Sequence, residues 1–298
     1  MGRKFYTLDV FTDQKLAGNP LAVVLDSDGL DDAAMQDIAV EFNLSETVFV
    51  SPPKVPSNGA AIRIFTPAHE LPFAGHPTVG TAILLNHLNH LGVKDEFILE
   101  EQVGPVNCVV SSKGGKMFAR FELPKISEPI ENAFDLDLVC DALGLVREDL
   151  LGDGPEVWHG GVGYTMVPVN SLDAVKKAVA SADGLNKAMP FSEFRTTNPY
   201  VFCKGGEADD ADFHARMFAP NFGIPEDPAT GSAVASMSGW IARHEMAENE
   251  SRSFKIEQGY EMGRPSQIYL DIEKADGVIV HAGISGSAVI VSDGVLHI

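Results

Sequence analysis

Three cysteines in 298 residues, Cys108, Cys140 and Cys203, are too few and too scattered for a disulfide framework. No CxxC or cysteine–histidine spacing accompanies them, so no structural metal centre is expected. They read as buried free thiols of a reducing compartment. Basic residues are scarce as well: 22 Lys and Arg stand against 42 Asp and Glu, a net charge of −20. A field of that sign repels phosphate backbones, so no nucleic-acid partner is expected. No apolar run approaches the ~20 residues that a membrane-spanning helix needs. Arg3 and Lys4 are followed by polar and acidic residues such as Asp9 and Asp13, not by an apolar segment, and a cytoplasmic location without a membrane partner is expected. Neither Gly-x-Gly-x-x-Gly nor a Walker A pattern occurs, and the nine histidines are dispersed. Neither a cofactor nor a metal is therefore expected.

What the chain does contain is itself, twice. Arg63-Ile64-Phe65-Thr66-Pro67 returns as Arg216-Met217-Phe218-Ala219-Pro220, 153 positions later. Gly75-His76-Pro77-Thr78-Val79-Gly80-Thr81-Ala82 is echoed by Glu226-Asp227-Pro228-Ala229-Thr230-Gly231-Ser232-Ala233 at an offset of 151. Upstream, Thr47 to Val50 matches Tyr200 to Cys203; downstream, Phe97 to Glu100 matches Phe254 to Glu257. Four blocks in one order at nearly constant spacing imply two copies of a unit about half the chain long, not a short-period solenoid.

Each copy reads strand, strand, loop, helix, strands. Val48 to Val50 and Ala61 to Phe65 have strand composition. Pro77 is predicted to open a helix that runs to about His90, since proline is favoured where the backbone N–H is unpaired. Val79, Ala82, Ile83, Leu84, Leu85 and Leu88 make that helix apolar on much of its circumference, the mark of a buried helix. Its twin is predicted from Pro228 to about Arg243, with small apolar residues that let a sheet wrap closely. Strands follow at 106–110, 117–121, 267–272 and 278–282. The expected class is α+β: a duplicated domain, each copy a mostly antiparallel sheet wrapped round a central helix. The tail Ser287 to Ile298 has no counterpart in the first copy; it is predicted as a strand pair turning at Asp293-Gly294 and adding to the other domain's sheet. The expected domains are 1–124 with 287–298, and 125–286.

Chemistry is expected at the helix starts. A helix N-terminus carries about half a positive charge and free backbone N–H groups, a site for a carboxylate or an enolate. His76 and Asp227 are predicted at the two cap positions. Asp227 reads equally as a plain N-cap, and His76 as a hydrogen-bonded loop histidine. Glu46 lies just ahead of a strand, in Asn43-Leu44-Ser45-Glu46-Thr47; its repeat equivalent falls near Pro199, so the carboxylate is not part of the common framework. On its own it reads as an exposed turn glutamate.

Asp9-Val10-Phe11-Thr12, Gly18-Asn19-Pro20, Asn43 to Thr47, Gly75 to Thr78, Glu226 to Ala233 and Gly263-Arg264-Pro265-Ser266 together resemble, in order and over essentially the whole chain, the PhzF family of phenazine-biosynthesis-like isomerases. The resemblance implies the diaminopimelate epimerase fold and a homodimer. It implies a cofactor-independent proton shift on a small carboxylic acid, similar to that of trans-2,3-dihydro-3-hydroxyanthranilate isomerase. Glu46 is then the general acid/base, while Asn19, Ser45, Gly75, His76, Asp227, Gly231 and Ser232 match substrate-binding positions. That role requires a carboxyl able both to take and to give a proton. Two other readings stay open: an amino-acid epimerase or racemase of the same fold, and a non-enzymatic small-molecule binder. The first needs a thiol at each helix start, where this chain has His76 and Asp227.

Overall fold

Runs of β-branched residues and one uniformly apolar segment set the architecture of each half of the chain. A computed structural model describes residues 2–189 and 198–298. The chain falls into two units, one of residues 1–124 with 285–298, the other of residues 125–284. In the first, β1 (Arg3–Val10), β2 (Asn19–Val24), α1 (Asp32–Phe42), β3 (Glu46–Ser51), β4 (Ala60–Phe65), β5 (Glu70–Leu71), α2 (Gly75–Leu88), β6 (Glu96–Glu101), β7 (Gly104–Lys113) and β8 (Lys116–Glu122) follow in order. The second contains β9 (Glu128–Ile130), α3 (Leu136–Leu143), β10 (Glu156–His159), β11 (Gly163–Pro168), α4 (Leu172–Lys177), α5 (Ala182–Ala188), β12 (Pro199–Lys204), β13 (Phe213–Ala219), β14 (Ile224–Asp227), α6 (Gly231–His244), β15 (Glu250–Gln258) and β16 (Ser266–Ala275). The last strand, β17 (Val278–Leu296), begins in the second unit's residues and ends in the first's.

The class is α+β, as expected, and most strand pairs are antiparallel. The first unit's strands are hydrogen-bonded in the order β17–β1–β2–β3–β4–β6–β7–β8. Two pairs are parallel, β2 with β3 and β4 with β6, and each needs a crossover connection. α1 lies in the first crossover and α2 in the second. The second unit repeats the device: β11 with β12 and β13 with β15 are parallel, and α6 lies in the crossover between the latter. Every residue of α2 from Gly75 to Leu85 is buried, so this helix is the middle of its unit and not a surface layer. The smaller helices pack elsewhere. α1 covers a cluster of Val24, Phe49 and Phe65, and α3, α4 and α5 cover Val167, Val201 and Phe218.

The repeated arginine has a concrete task in both copies. Arg63 on β4 grips Glu70 on β5 with Nε and Nη2 at 2.7 and 2.6 Å. Arg216 on β13 grips Glu226 on β14 at 2.8 Å through the same two nitrogens, while its Nη1 donates to the carbonyls of Val175, Lys176 and Ala178. Bidentate pairs of this kind fix direction as well as distance. They brace the short hairpin that delivers the chain to the central helix.

The tail differs from expectation. Asp293-Gly294 is not a turn; it lies mid-strand, with Tyr6 opposite Asp293 and Phe5 opposite Gly294. The eight-residue partner β1 pairs with the tail from Arg3↔Leu296 to Val10↔Ala288, with one register shift between Thr7 and Leu8, and satisfying those backbone groups outweighs the local turn propensity. A Cβ at Gly294 would stand 2.6 Å from the Phe5 ring, so glycine there makes room for a neighbour. Among the described residues no helix is long and apolar enough to cross a membrane.

Gly239 on α6 shows how closely a helix is wrapped. A Cβ there would meet Trp158 Cε3 at 2.2 Å and Ser127 Oγ at 2.9 Å, and the indole is itself 3% exposed. Gly239→Ala is therefore expected to destabilise the fold by about 1–3 kcal/mol through overpacking. The check is a lowered melting temperature; an unchanged or raised value overturns this account of the helix–sheet contact.

Candidate active site

In the first unit, three of the expected site residues come together at the ends of different elements. α1 stops at Asn43, whose left-handed backbone (φ 51°, ψ 35°) donates its N–H to Ala39 O. Asparagine tolerates this conformation, and the chain then turns through Leu44 and the half-buried Ser45 into β3. Glu46 is the first residue of that strand, and the parallel register sets it beside Leu21, two residues beyond Asn19 at the start of β2. His76 enters from the first turn of α2. Its Nε2 stands 3.2 Å from Glu46 Oε2, with side chains only 5% and 14% exposed, at ion-pair distance but off the line of a hydrogen bond. On the other face of the ring, Nδ1 lies 3.4 Å from Asn19 Nδ2. If the amide donates to Nδ1, the imidazole proton is on Nε2 and faces the carboxylate. Burial pushes His76 down to about 3, so the ring is neutral at physiological pH and cannot act as a ready imidazolium donor.

The expected cap positions are corrected by the structure. α2 begins at Gly75, two residues before the predicted Pro77, and its N-cap is Ala74; His76 lies inside the first turn. Pro77 still sits where its missing N–H costs nothing. α6 begins at Gly231, three residues after the predicted Pro228, and its N-cap is Thr230. Asp227 is instead the last residue of β14, paired with Met217. The delay has a visible cause. Gln258 Nε2 donates to Asp227 O at 2.7 Å and to Thr230 Oγ1 at 2.9 Å, and Gln258 Oε1 accepts from Thr230 N at 3.1 Å. Those bonds hold the segment extended until Thr230. The Thr230 hydroxyl in turn donates to the Asp227 carboxylate, so Asp227 is anchored by the cap residue rather than being the cap. Gly75 and Gly231 are the first residues of their helices, where backbone N–H groups have no intrahelical partner.

Ser232, one residue into α6, is partly exposed and lies 2.8 Å from Tyr164 Oη on β11. Tyr200 on β12 donates to Gln258 Oε1 at 3.2 Å. Tyr164, Tyr200, Thr230 and Gln258 were not among the candidates. Tyr200 and Thr230 lie inside repeated blocks and Gln258 directly follows the block Phe254 to Glu257; Tyr164 carries no such signal. Gly263-Arg264-Pro265-Ser266 forms the connection from β15 to β16: Arg264 N donates to Gly259 O at 2.9 Å and Ser266 Oγ to Arg264 O at 3.1 Å.

None of the three thiols is carried by the start of α2 or α6: Cys108 is on β7, Cys140 on α3 and Cys203 on β12, all buried. Burial raises each of them: Cys108 and Cys140 by desolvation before any neighbour, and Cys203 to about 11. No thiolate is thus available for a two-cysteine racemisation.

Two outcomes follow from these environments. Nitrogen NMR of the imidazoles should show His76 staying neutral across the range in which an ordinary histidine titrates; a midpoint near 6.5 overturns the burial argument. A disulfide-exchange reagent at neutral pH should leave all three thiols of the folded protein unlabelled and label all three after denaturation. Rapid labelling that abolishes activity and is blocked by substrate would restore a thiol mechanism.

Comparison with known proteins identifies the family and the fold. The PhzC-PhzF family model, described as "Phenazine biosynthesis-like protein", matches residues 8–294. An uncharacterized isomerase of Mesorhizobium japonicum is 45% identical over 99% of both chains. The trans-2,3-dihydro-3-hydroxyanthranilate isomerase of Pseudomonas fluorescens is 34% identical over 98% of both. The crystal structure of a PhzF family phenazine biosynthesis protein from Bacillus anthracis covers all of both chains with a TM-score of 0.91 at 25% identity. The fold is of the diaminopimelate epimerase-like type. By the family match over nearly its whole length, the chain belongs to the phenazine biosynthesis-like, PhzC-PhzF family.

Proposed function

We propose that the protein is a cofactor-independent isomerase that moves a proton on a small cyclic or unsaturated carboxylic acid, with Glu46 as the general acid/base. The observation that carries this reading is the Glu46–His76 pair, two polar side chains at 3.2 Å in a largely buried setting. Glu46 takes a proton from a carbon next to an activating group. The electron pair left behind delocalises as an enol-type species, and Glu46 returns the proton at another carbon, so the net change is isomerisation without redox chemistry. A neutral His76 orients the carboxylate without cancelling its charge, and Asn19 holds the ring. Gly75 offers its backbone N–H to the substrate carboxylate. Ser45 completes the first unit's share. For the second unit the proposal rests on the sequence resemblance alone, by which Asp227, Gly231 and Ser232 match substrate-binding positions. The relatives' names support the isomerase class, and the named substrate of the Pseudomonas fluorescens enzyme is the first compound to assay. The same reading carries a cytoplasmic homodimer.

Glu46→Gln preserves size but cannot accept the proton. It is expected to melt normally and to lose about 10²–10⁴-fold in turnover; near-normal turnover removes Glu46 from the mechanism. A single carboxylate also confines the transfer to one face of the substrate. In D₂O, after one turnover, mass spectrometry should find product molecules that retain the substrate's hydrogen. Full deuteration with delivery on the opposite face would instead assign a second acid, His76 or Asp227.

A further inference from the structure

Glu101 closes β6 at the last paired residue before the turn into β7, opposite Gly104. Its side chain is buried and reaches α2. Oε1 lies 2.8 Å from Thr78 Oγ1, and that hydroxyl is also 2.8 Å from Ala74 O, the N-cap carbonyl. Oε2 is buried with no hydrogen-bond partner among the described residues. Thr78 belongs to the first turn of α2, two residues beyond His76.

Protons can be counted here. The Thr78 hydroxyl has one, and a carbonyl oxygen can only accept. If Thr78 donates to Ala74 O, the contact with Glu101 must be made by a proton on Glu101. An ionised Glu101 would compete for the only hydroxyl proton and leave a charged Oε2 without a donor in the interior, which is costly.

The second copy of the repeat shows the same post filled by a neutral group. Glu100 accepts the backbone N–H groups of Lys54 and Val55, 2.9 and 2.8 Å away, in the β3–β4 loop. Its repeat partner Glu257 accepts those of Glu207 and Ala208, at 2.7 and 3.0 Å, in the β12–β13 loop. The two glutamates do one job, so the next residues, Glu101 and Gln258, correspond as well. Gln258 binds the threonine hydroxyl and the chain at the start of α6 with an amide that is neutral at every pH.

We propose that Glu101 is a protonated positioning residue that fixes Thr78, and with it the turn that presents His76 to Glu46, and that its ionisation loosens this turn under alkaline conditions. Burial raises Glu101 from 4.5 to about 8, against the opposing effect of the Thr78 bond. The groups around it do not neutralise it. Cys108, facing it from β7, is itself raised and uncharged; His76 on α2 is neutral; Glu100 on β6 is occupied with the β3–β4 loop. The catalytic half of this inference rests on the proposed role of Glu46 and His76; the protonation half does not.

Carbon NMR of the whole protein labelled at glutamate carboxyls separates the two. One carboxyl should remain protonated at neutral pH and titrate near 8, in the wild type and in Glu46→Gln alike, and be absent from Glu101→Gln. Full ionisation of every glutamate of Glu46→Gln at neutral pH overturns the proposal even if Glu101→Gln fails to fold. Stability gives a second reading. The folded state holds a proton that the unfolded chain releases above 4.5, so the wild type's folding equilibrium should fall, relative to Glu101→Gln, by about tenfold per pH unit between 4.5 and 8 and then level off. Parallel curves overturn it. In turnover, the wild type should lose activity through an alkaline limb near 8 that Glu101→Gln lacks. Thr78→Val should lower kcat more than it raises KM, and Thr78→Ser should restore it; an alkaline limb unchanged in Glu101→Gln removes the link to the site. If Glu46→Gln keeps its turnover, the site reading fails while the carboxyl signal and the stability curve still decide the state of Glu101.

Discussion

A helix buried on all sides must have the polar groups of its first turn satisfied by protein, because water cannot reach them. That constraint governs both copies of this fold. α2 and α6 begin with small residues in close surroundings, and the first N–H groups at each start have no carbonyl four residues back to bind; in α2 Pro77 removes one of them. The chain answers with a bidentate arginine clamp on the incoming hairpin, Arg63–Glu70 or Arg216–Glu226. It adds a residue from the strand after the helix, Glu101 or Gln258, that binds a threonine hydroxyl at the start of the helix. The N–H groups of the first turn are also those that the proposed function assigns to an anionic substrate. Building the helix start and building the anion site are therefore one problem.

The residues offered to chemistry are those released from this shared framework. β3 and β12 are repeat equivalents, yet one starts with Glu46 and the other with Pro199. The turn residue aligned between copies is His76 in one and Asp227 in the other, and their surroundings drive them apart. His76 is stripped of water and stays neutral beside a carboxylate. Asp227 is tied into a strand, with its carboxylate bound by Thr230. Duplication supplies two similar scaffolds, and the asymmetry of function follows from which polar side chain each buries.

This explains how much could be read before the structure was known. The four repeated blocks, the apolar circumference of α2 and the strand composition of β3, β4, β7 and β8 are local signals, and the architecture follows from them. Glu46 on its own reads as an exposed turn glutamate, and only the family resemblance gives it a role. The helix starts could not be placed from sequence. In α6 the choice between extended and helical backbone at Asp227 to Thr230 is made by Gln258, about 30 residues downstream. The Asp293-Gly294 pair carries the composition of a turn, but its conformation is set by β1, nearly 290 residues upstream. Tyr164 and Tyr200 escaped notice for the same reason: a tyrosine in a strand looks like core until the partner of its hydroxyl is known.

The contrast between Glu101 and Gln258 carries the argument one step further. A neutral amide serves the second unit at any pH, so a carboxyl at the matching post brings a liability the fold does not need. In one protonation state it does the work of the amide, and in the other it breaks the accounting of a single hydroxyl proton. It binds Thr78, two residues of helix beyond His76, whose imidazole stands 3.2 Å from Glu46. A group there that changes state above neutrality couples the integrity of the α2 start to pH, whereas the α6 start has no such coupling. The two copies thus differ in how firmly they hold their helix starts, and the looser hold lies in the copy that carries Glu46 and His76.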